Sequence, residues 1–217
     1  MAYGFLDVLM TPGIKAAQAA MGVAERWENF QGHREFDRFG PDEKDFIETR
    51  DSFYMATVGE NGWPYVQHRG GWPGFLKVLD EKRLGFADYR GNLQYLSLGN
   101  LGANDKVALI LMDYPRRARM KILAHAETAT AEERPAFAEL LTRPGYKAKI
   151  EHVVTLNLVA FDWNCQQHIT QRFSEAEIAP VIAGLTQRIG ALEAELAALR
   201  AQVGQAEVLS PDPESPK

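Results

Sequence analysis

The chain has 217 residues, 46% of them hydrophobic and 24% charged, which is enough for one well-packed domain with an appendage. Its 24 Lys and Arg residues against 29 Asp and Glu residues give a net charge of -5, so neither nucleic acid nor an anionic membrane is expected as the main partner. The longest apolar run, Val107 to Met112, is too short to span a bilayer, and the opening residues lack a secretory signal. These features predict a soluble, cytoplasmic protein.

Cysteine and metal chemistry are not favoured. The single cysteine, Cys165, excludes an internal disulfide, and no general base accompanies it as a nucleophile would require. His68 and His168 come without an evident third ligand, so no metal site is predicted.

The N-terminal part predicts two helices. Residues 1–40 indicate one helix after Thr11-Pro12-Gly13, followed by a loosely structured arm. At Pro41 a proline and two acidic residues suit the first turn of a second helix, because the fixed φ and the helix dipole favour them there. Phe46 and Ile47 of that helix are expected to face the core.

From Ser52 the hydrophobic period shortens to the alternation of β-strands. Asn61-Gly62 supplies the positive φ angles of a tight hairpin turn. Six or seven strands with few, short helices and short loops predict a barrel-like, antiparallel α+β domain. The predicted strands are Phe53–Val58, Tyr65–Arg69, Phe75–Leu79, Leu84–Ala87, Val107–Met112, Arg119–Ala126 and Val153–Phe161, with short helices near Asn92–Leu98 and Ala131–Leu141.

The C-terminal part predicts one long helix with a heptad pattern. Its apolar residues alternate spacings of four and three, which is typical of a seam for a partner helix, although packing against the chain's own barrel is the alternative. The tail after Gln205 is rich in Pro, Ser and acidic residues and is expected to be disordered. The seam residues are Ile178, Ile182, Leu185, Ile189, Leu192, Leu196, Leu199 and Val203.

Two strand segments carry polar groups suited to an anion. Gln67, His68 and Arg69 end a strand before two glycines, where bare backbone lets a ligand approach, although a solvated strand end explains the pattern as well. Lys77 shares a strand face with Phe75 and therefore needs an anionic partner or a route to solvent. Together, Arg69 and Lys77 resemble two halves of a phosphate clamp.

A turn and a later strand offer further donors. Arg90, Gly91, Asn92 and Gln94 lie between a strand and a helix, where Asn92 is a plausible N-cap and the free amides of the first turn would receive a phosphate. A plain cap explains Asn92 equally well. Arg119 shares a strand face with Arg117 and Lys121 and forms either a solvated face or a wall for an anionic cofactor.

The run from Phe161 to Phe173 combines aromatic, amide, imidazole and guanidinium groups. Such a set suits a planar heterocycle, which needs flat apolar contact and hydrogen-bonding groups around its rim. The residues concerned are Trp163, Gln167, His168 and Arg172.

Three separated motifs resemble the pyridoxamine 5′-phosphate oxidase-like, FMN-binding split-barrel proteins, and more closely their flavin-nucleotide-binding branch. They are WPYVQHRGGWPGFLKVLDEKRLGFADYRGNLQY, MDYPRRARMKI and AFDWNCQQHITQRF, and the resemblance covers roughly residues 41–173. It implies a six-stranded antiparallel split β-barrel whose homodimer interface forms two FMN sites lined by both subunits. Leu93 and Gln94 stand where true oxidases of this family carry an Arg-Lys pair, so vitamin B6 oxidase activity is not implied.

The resemblance also assigns residues. Gln67, His68, Arg69 and Lys77 would line the flavin and its phosphate, and Arg90, Gly91, Asn92 and Gln94 would form the phosphate-binding turn. From the second subunit, Trp163, Gln167, His168 and Arg172 would flank the ring.

The sequence therefore predicts an FMN-dependent oxidoreductase in which the flavin performs electron or hydride transfer. The alternatives are a non-catalytic flavin carrier or sensor whose heptad helix recruits a partner, and a split barrel that uses deazaflavin or haem. The predicted organisation is residues 1–40 as helix and arm, 41–173 as the FMN-binding barrel, 174–204 as the coiled-coil-like helix and 205–217 as the disordered tail.

Overall fold

A computed structural model describes residues 4–28, 36–164 and 166–209, which fall into two units, Met1–Thr170 and Gln171–Lys217. The strands of the first unit are β1 (Ser52–Val58), β2 (Pro64–Gly70), β3 (Lys77–Asp80), β4 (Arg83–Tyr89), β5 (Lys106–Asp113), β6 (Ala118–Thr130) and β7 (Ile150–Asn164). Its helices are α1 (Phe5–Leu9), α2 (Pro12–Ala20), α3 (Ala24–Glu28), α4 (Pro41–Glu48), α5 (Leu96–Ala103) and α6 (Pro135–Leu140).

All seven strands join one antiparallel sheet in the order β2-β1-β5-β6-β7-β4-β3. The sheet is strongly curled, as shown by contacts across the core between strands that lie far apart in that order. Phe53 on β1 lies edge-on to Phe86 on β4, with ring centroids 5.2 Å apart, and stacks on Phe75 at 5.5 Å. The sheet therefore wraps around its core without its edge strands pairing, which is the arrangement of a split barrel.

Alternating burial along the strands shows which face of the sheet encloses the core. On β1, Phe53, Met55 and Thr57 are buried while the residues between them are less so, and the central strands β5 and β6 follow the same rule. Because successive side chains of a strand point to opposite faces, one face of the sheet encloses the core. On β4 and β7 the other face is covered as well, since Ala87 and Val153 pack with Leu141 beside α6.

Helix α4 closes one end of the core. Pro41 occupies its first turn, and the Glu43 carboxylate accepts a hydrogen bond from the Gly40 N–H at 2.9 Å, which satisfies an otherwise free helix N-terminal donor. Phe46 and Ile47 are buried, as predicted. Just beyond the helix, the Arg50 guanidinium forms an ion pair with the buried Asp113 at 2.8 Å and so ties α4 to the end of β5.

The α+β split-barrel prediction is confirmed, with seven strands where the resemblance implied six. The third strand begins at Lys77 instead of Phe75, because the chain forms a turn first, with the Phe75 N–H bonded to the Trp72 carbonyl at 3.0 Å. The helix expected from Asn92 begins only at Leu96.

The second unit contains one helix, α7 (Glu175–Leu209). It extends five residues beyond the predicted end at 204, so residues 205–209 are helical where the sequence suggested the start of a disordered tail. Four parts of the predicted organisation lie outside the described residues. They are residues 1–3 and 29–35 of the N-terminal segment, Cys165, and residues 210–217 of the tail. Within the described ranges, no helix combines the length and apolar character needed to cross a bilayer.

Gly85 on β4 provides the first test of this packing. A Cβ built at this position would lie 2.7 Å from the Phe137 ring and 3.1 Å from Leu79. We expect Gly85→Ala to lower the free energy of unfolding by about 1–3 kcal/mol, because the inserted methyl group forces α6 away from the sheet. Urea unfolding measures the change.

Gly99→Ala in α5 is the matched control, since a Cβ there meets nothing within 4 Å. It should leave stability unchanged or raise it by about 0.5–1 kcal/mol, because alanine favours helix. Equal stability of the two variants would contradict the packing described for Gly85.

Candidate functional site

A cleft of about 240 Å³ lies where β2 approaches the end of β4. Side chains from β2 form one wall, and the segment from Gly91 to Leu98 forms another. The lining residues are Tyr65, Gln67, Arg69, Asp88, Tyr89, Gly91, Asn92, Leu93, Gln94, Tyr95, Leu96, Ser97, Leu98 and Glu151.

Arg69 is the principal cation of the cleft. Its side chain is only 14% exposed and forms an ion pair with Asp88 on β4, which is 17% exposed. The guanidinium also lies 5.9 Å from the centroid of the Phe86 ring. Its buried Nε has no hydrogen-bond partner among the described residues. Because buried donors are nearly always satisfied, this N–H is suited to donate to an acceptor atom of a ligand.

Gln67 is held in a fixed orientation beside Arg69. The Ser97 hydroxyl of α5 donates a hydrogen bond to its Oε1 at 2.8 Å. The carbonyl end of the amide is therefore engaged, and its NH₂ group remains as a donor.

The turn that precedes α5 is strained and stabilised by its own side chains. Leu93 and Tyr95 have φ angles of 66° and 51°, a region that non-glycine residues rarely occupy. Asn92 Oδ1 accepts a hydrogen bond from the Gln94 N–H, and Asn92 Nδ2 donates one to Gln94 Oε1, both at 3.1 Å. Such strain persists where surrounding structure imposes it, often at ligand sites.

This geometry corrects the prediction that Asn92 caps the helix. The N-cap position belongs to Tyr95, without a capping side chain, and α5 starts at Leu96. Asn92 instead makes a local turn with the backbone two residues on, which competes with the helical path. A phosphate at the Asn92 turn would therefore meet loop amides and not the first turn of a helix.

Glu151 on β7 joins the turn to the rim of the cleft. Its carboxylate accepts a hydrogen bond from the Tyr95 hydroxyl at 3.1 Å and lies 3.5 Å from Nε of Arg90, which is 54% exposed. Local desolvation and, after it, the bond to Glu151 raise the pKa of the Tyr95 phenol above its ordinary value. The cleft and its rim thus carry two cations and two anions.

The structure brings five of the predicted site residues to this cleft and places Arg90 at its rim. The five are Gln67, Arg69, Gly91, Asn92 and Gln94. The polar cleft residues that the sequence analysis did not single out include Asp88 and Glu151, which strand pairing and the curl of the sheet bring to the cleft. They also include Tyr95 and Ser97, which follow the predicted turn along the chain.

Four predicted residues of the barrel lie elsewhere. His68 is on the opposite face of β2 against Tyr54, with ring centroids 5.4 Å apart. Lys77 is half-buried at the start of β3, opposite Gly85. Trp163 contacts Phe46 of α4 and donates a hydrogen bond to Glu43 at 2.9 Å. Arg119 lies on β6, and its buried Nε lacks a partner among the described residues.

The remaining predicted residues follow β7. Gln167 and His168 are exposed in a turn, where His168 has a φ of 62°, and Arg172 is an exposed residue of the second unit. Their roles toward a ligand remain predictions. Across the described parts of the chain, no three His, Cys, Asp or Glu side chains gather as a metal site would require.

The curled, open antiparallel sheet, with a polar cleft where β2 approaches the end of β4, defines a split-barrel protein. A family model described as pyridoxamine 5′-phosphate oxidase matches residues 39–169, and the chain belongs to this family. No curated protein sequence matches the chain.

The solved structures to which the chain is similar have low sequence identity to it. HupZ of Group A Streptococcus is 16% identical with a TM-score of 0.45, and the match covers 62% of this chain and 99% of that one. An FMN-binding protein from Syntrophomonas wolfei is 15% identical with a TM-score of 0.42, covering 68% and 97%. A structure named F420 reductase is 20% identical with a TM-score of 0.40, covering 55% and 94%.

An aromatic cluster borders the cleft at Tyr89. Its ring lies 5.2 Å from that of Tyr146 and 6.2 Å from that of Trp72, and its buried hydroxyl has no partner among the described residues. Burial and, after it, the nearby Tyr146 raise the pKa of Tyr89 from 10.0 to about 12. The folded chain therefore keeps this proton at pH values where the unfolded chain loses it.

Tyr89→Phe tests this environment. The stability associated with the raised pKa is complete below about pH 10 and is lost as the pH rises toward 12, because only the unfolded chain ionises in that window. We expect the variant to become progressively more stable than the parent between these pH values. Urea unfolding at a series of pH values measures the difference, and a difference that does not change with pH would contradict the assignment.

Proposed function

We propose that the protein binds FMN in the cleft between β2 and β4 and acts as an FMN-dependent oxidoreductase working as a homodimer. The observation that carries the proposal is Arg69, a largely buried cation whose Nε has no hydrogen-bond partner among the described residues, in a polar cleft of a barrel of the pyridoxamine 5′-phosphate oxidase family. The cytoplasmic location predicted from the sequence belongs to the same proposal.

The cleft residues suit a phosphorylated ligand that carries hydrogen-bonding groups around its ring. Arg69 and the Gln67 amide supply donors on one wall, and the turn from Gly91 to Tyr95, which is strained at Leu93 and Tyr95, supplies backbone amides on the other. Bound flavin would supply the electron or hydride transfer, while the protein holds it in place and sets the charge around it. Arg69 would stabilise negative charge on the ligand, and Asp88 would fix the orientation of its guanidinium.

A single chain supplies only part of such a site. The cleft volume of about 240 Å³ is below the ~300–1,000 Å³ of typical ligand pockets. Arg69 and Arg90 are matched by Asp88 and Glu151, so one protomer offers no net positive charge to a phosphate. A second copy that brings further cations would complete the site, which is the arrangement implied by the family resemblance.

The outer face of β1 and β2 is suited to that second copy. Tyr54, Val58 and Val66 are 40%, 36% and 59% exposed there, although they lie on paired strands. Contiguous exposed apolar side chains on a sheet indicate a protein interface. His68 lies on this same face, so pairing through it would place that residue at the contact between the subunits.

Arg69→Gln tests the binding site. Loss of the guanidinium should weaken FMN binding by about tenfold or more, since hydrogen bonds to charged groups contribute ~1.5–3 kcal/mol. Quenching of FMN fluorescence measures the affinity. The matched control is Arg83→Gln, which removes an exposed β4 arginine that pairs with Asp80 at 2.6 Å away from the cleft lining. Wild-type protein that is colourless and stays so after FMN is added would overturn the proposal.

Val66→Lys tests the contribution of a second copy. The substitution lies outside the cleft on the exposed face of β2, so a fall in FMN affinity would report loss of the partner. We expect a loss of about tenfold or more, because a buried unpaired charge opposes association. Leu140→Lys, at a 55% exposed position at the end of α6, is the control. Equal affinities of the two variants would exclude this face as the interface.

The alternative functions predict different measurements on the same purified protein. The absorption spectrum separates flavin from deazaflavin or haem. If FMN is bound but neither NADH nor NADPH reduces it, a flavin carrier or sensor is favoured, with α7 as the element that recruits a partner.

A further inference from the structure

The heptad seam of α7 has the composition of a two-stranded coiled coil. Its side chains are between 38% and 60% exposed in the single chain. Three of four a positions are β-branched and three of four d positions are Leu, a combination that favours parallel dimers. The a positions are Ile182, Ile189, Leu196 and Val203, and the d positions are Ile178, Leu185, Leu192 and Leu199.

Residues that weaken a helix are kept off this seam. Pro180 is inside α7 and occupies an f position, while Gly184 and Gly190 occupy c and b positions. Proline removes a helical hydrogen bond and each glycine costs about 1 kcal/mol relative to alanine. A helix with these residues and an exposed apolar seam depends on packing for its stability, so the seam is expected to have a partner.

The charges beside the seam identify that partner. In a parallel pair, each g residue lies beside the e residue of the following heptad on the other helix. This places Arg188 beside Glu193 of a second copy, and Glu195 beside Arg200 of a second copy. Both contacts join opposite charges and both occur twice by symmetry. We infer that α7 pairs with α7 of a second copy as a parallel, in-register coiled coil.

The antiparallel pairing is less complementary. Matching the same apolar seam in that orientation opposes Arg188 with Glu195 of the second copy. It leaves Glu193 opposite the neutral Thr186, and Arg200 opposite Ala179. The parallel arrangement therefore satisfies all four charged e and g residues between 186 and 200, whereas the antiparallel one satisfies two.

Disulfide cross-linking of the full chain tests orientation and register together. With the native cysteine replaced by Cys165→Ser, Leu199→Cys places a thiol at a d position, which faces its own copy only in a parallel, in-register pair. We expect mild oxidation to convert most of this variant to a covalent dimer. Ala201→Cys, two residues later at an outward f position, is the matched control and should remain largely uncross-linked.

Charge variants test the pairing itself. Added to Leu199→Cys, Arg188→Glu should lower the yield of covalent dimer, because it places like charges across the seam. Adding Glu193→Arg as well should restore the yield. Failure of the second change to restore it would contradict the proposed contact between these positions.

A spin label on Ala201→Cys leaves the seam intact and gives an independent distance. In the parallel pair, the two labels should lie within about two helix diameters, ~20–25 Å. An antiparallel pair would separate them by roughly a further 30 Å along the axis. The longer distance, the absence of a distance between copies, or equal cross-linking at positions 199 and 201 would overturn the inference. None of these readouts requires flavin, so this inference and the proposed function fail separately.

Discussion

The contact between the two ends of the curled sheet determines where the candidate site lies. Phe53 of β1 packs against Phe86 of β4, although three strands separate them in the sheet. Close to this contact, Arg69 of β2 forms an ion pair with Asp88 of β4. The apolar contact holds the strands together, and the ion pair next to it has little access to water, so its charges are held in place by the fold.

The same contact sets the electrostatic character of the cleft. A buried cation without a partner would be costly, and Asp88 removes that cost by compensating the charge of Arg69. The compensation leaves Arg69 Nε, which has no hydrogen-bond partner within the described ranges, as a directional donor. In the proposed function, recognition of FMN by one chain therefore depends on hydrogen-bond geometry more than on net charge, and the phosphate would need cations from another source. This is why the proposed function includes a second copy.

Local sequence signals predicted much of the fold. Pro41 with its following acids gave a correct helix start. Asn61-Gly62 correctly indicated the hairpin, but only Gly62 has a positive φ, of 82°, and residues 59–63 join the strands, so the tight turn with positive φ at both positions was wrong. The predicted cap at Asn92 was wrong, because its side chain satisfies the Gln94 N–H in a turn. Several non-helical motifs offer Asn the same bond, so sequence alone did not distinguish them.

The site was predictable to the extent that its residues are close in sequence. The period of two in a strand separates His68 from Gln67 and Arg69, and this separation was available from the sequence. The pairing of Arg69 with Asp88 was not, because it depends on the curl of the whole sheet. Likewise, Trp163 is engaged by Glu43, which is 120 residues away along the chain.

The two surfaces that the single chain leaves open have different physical origins but the same symmetry requirement. The outer face of β1 and β2 exposes apolar side chains on a sheet, and α7 exposes a heptad seam. Pairing of either surface with its equivalent in a second copy is isologous, so it closes on itself. If both surfaces engage the same second copy, the assembly stops at two chains. If they engage different copies, each chain joins two neighbours and the assembly continues beyond a dimer. A closed homodimer therefore requires that both surfaces pair about the same two-fold axis.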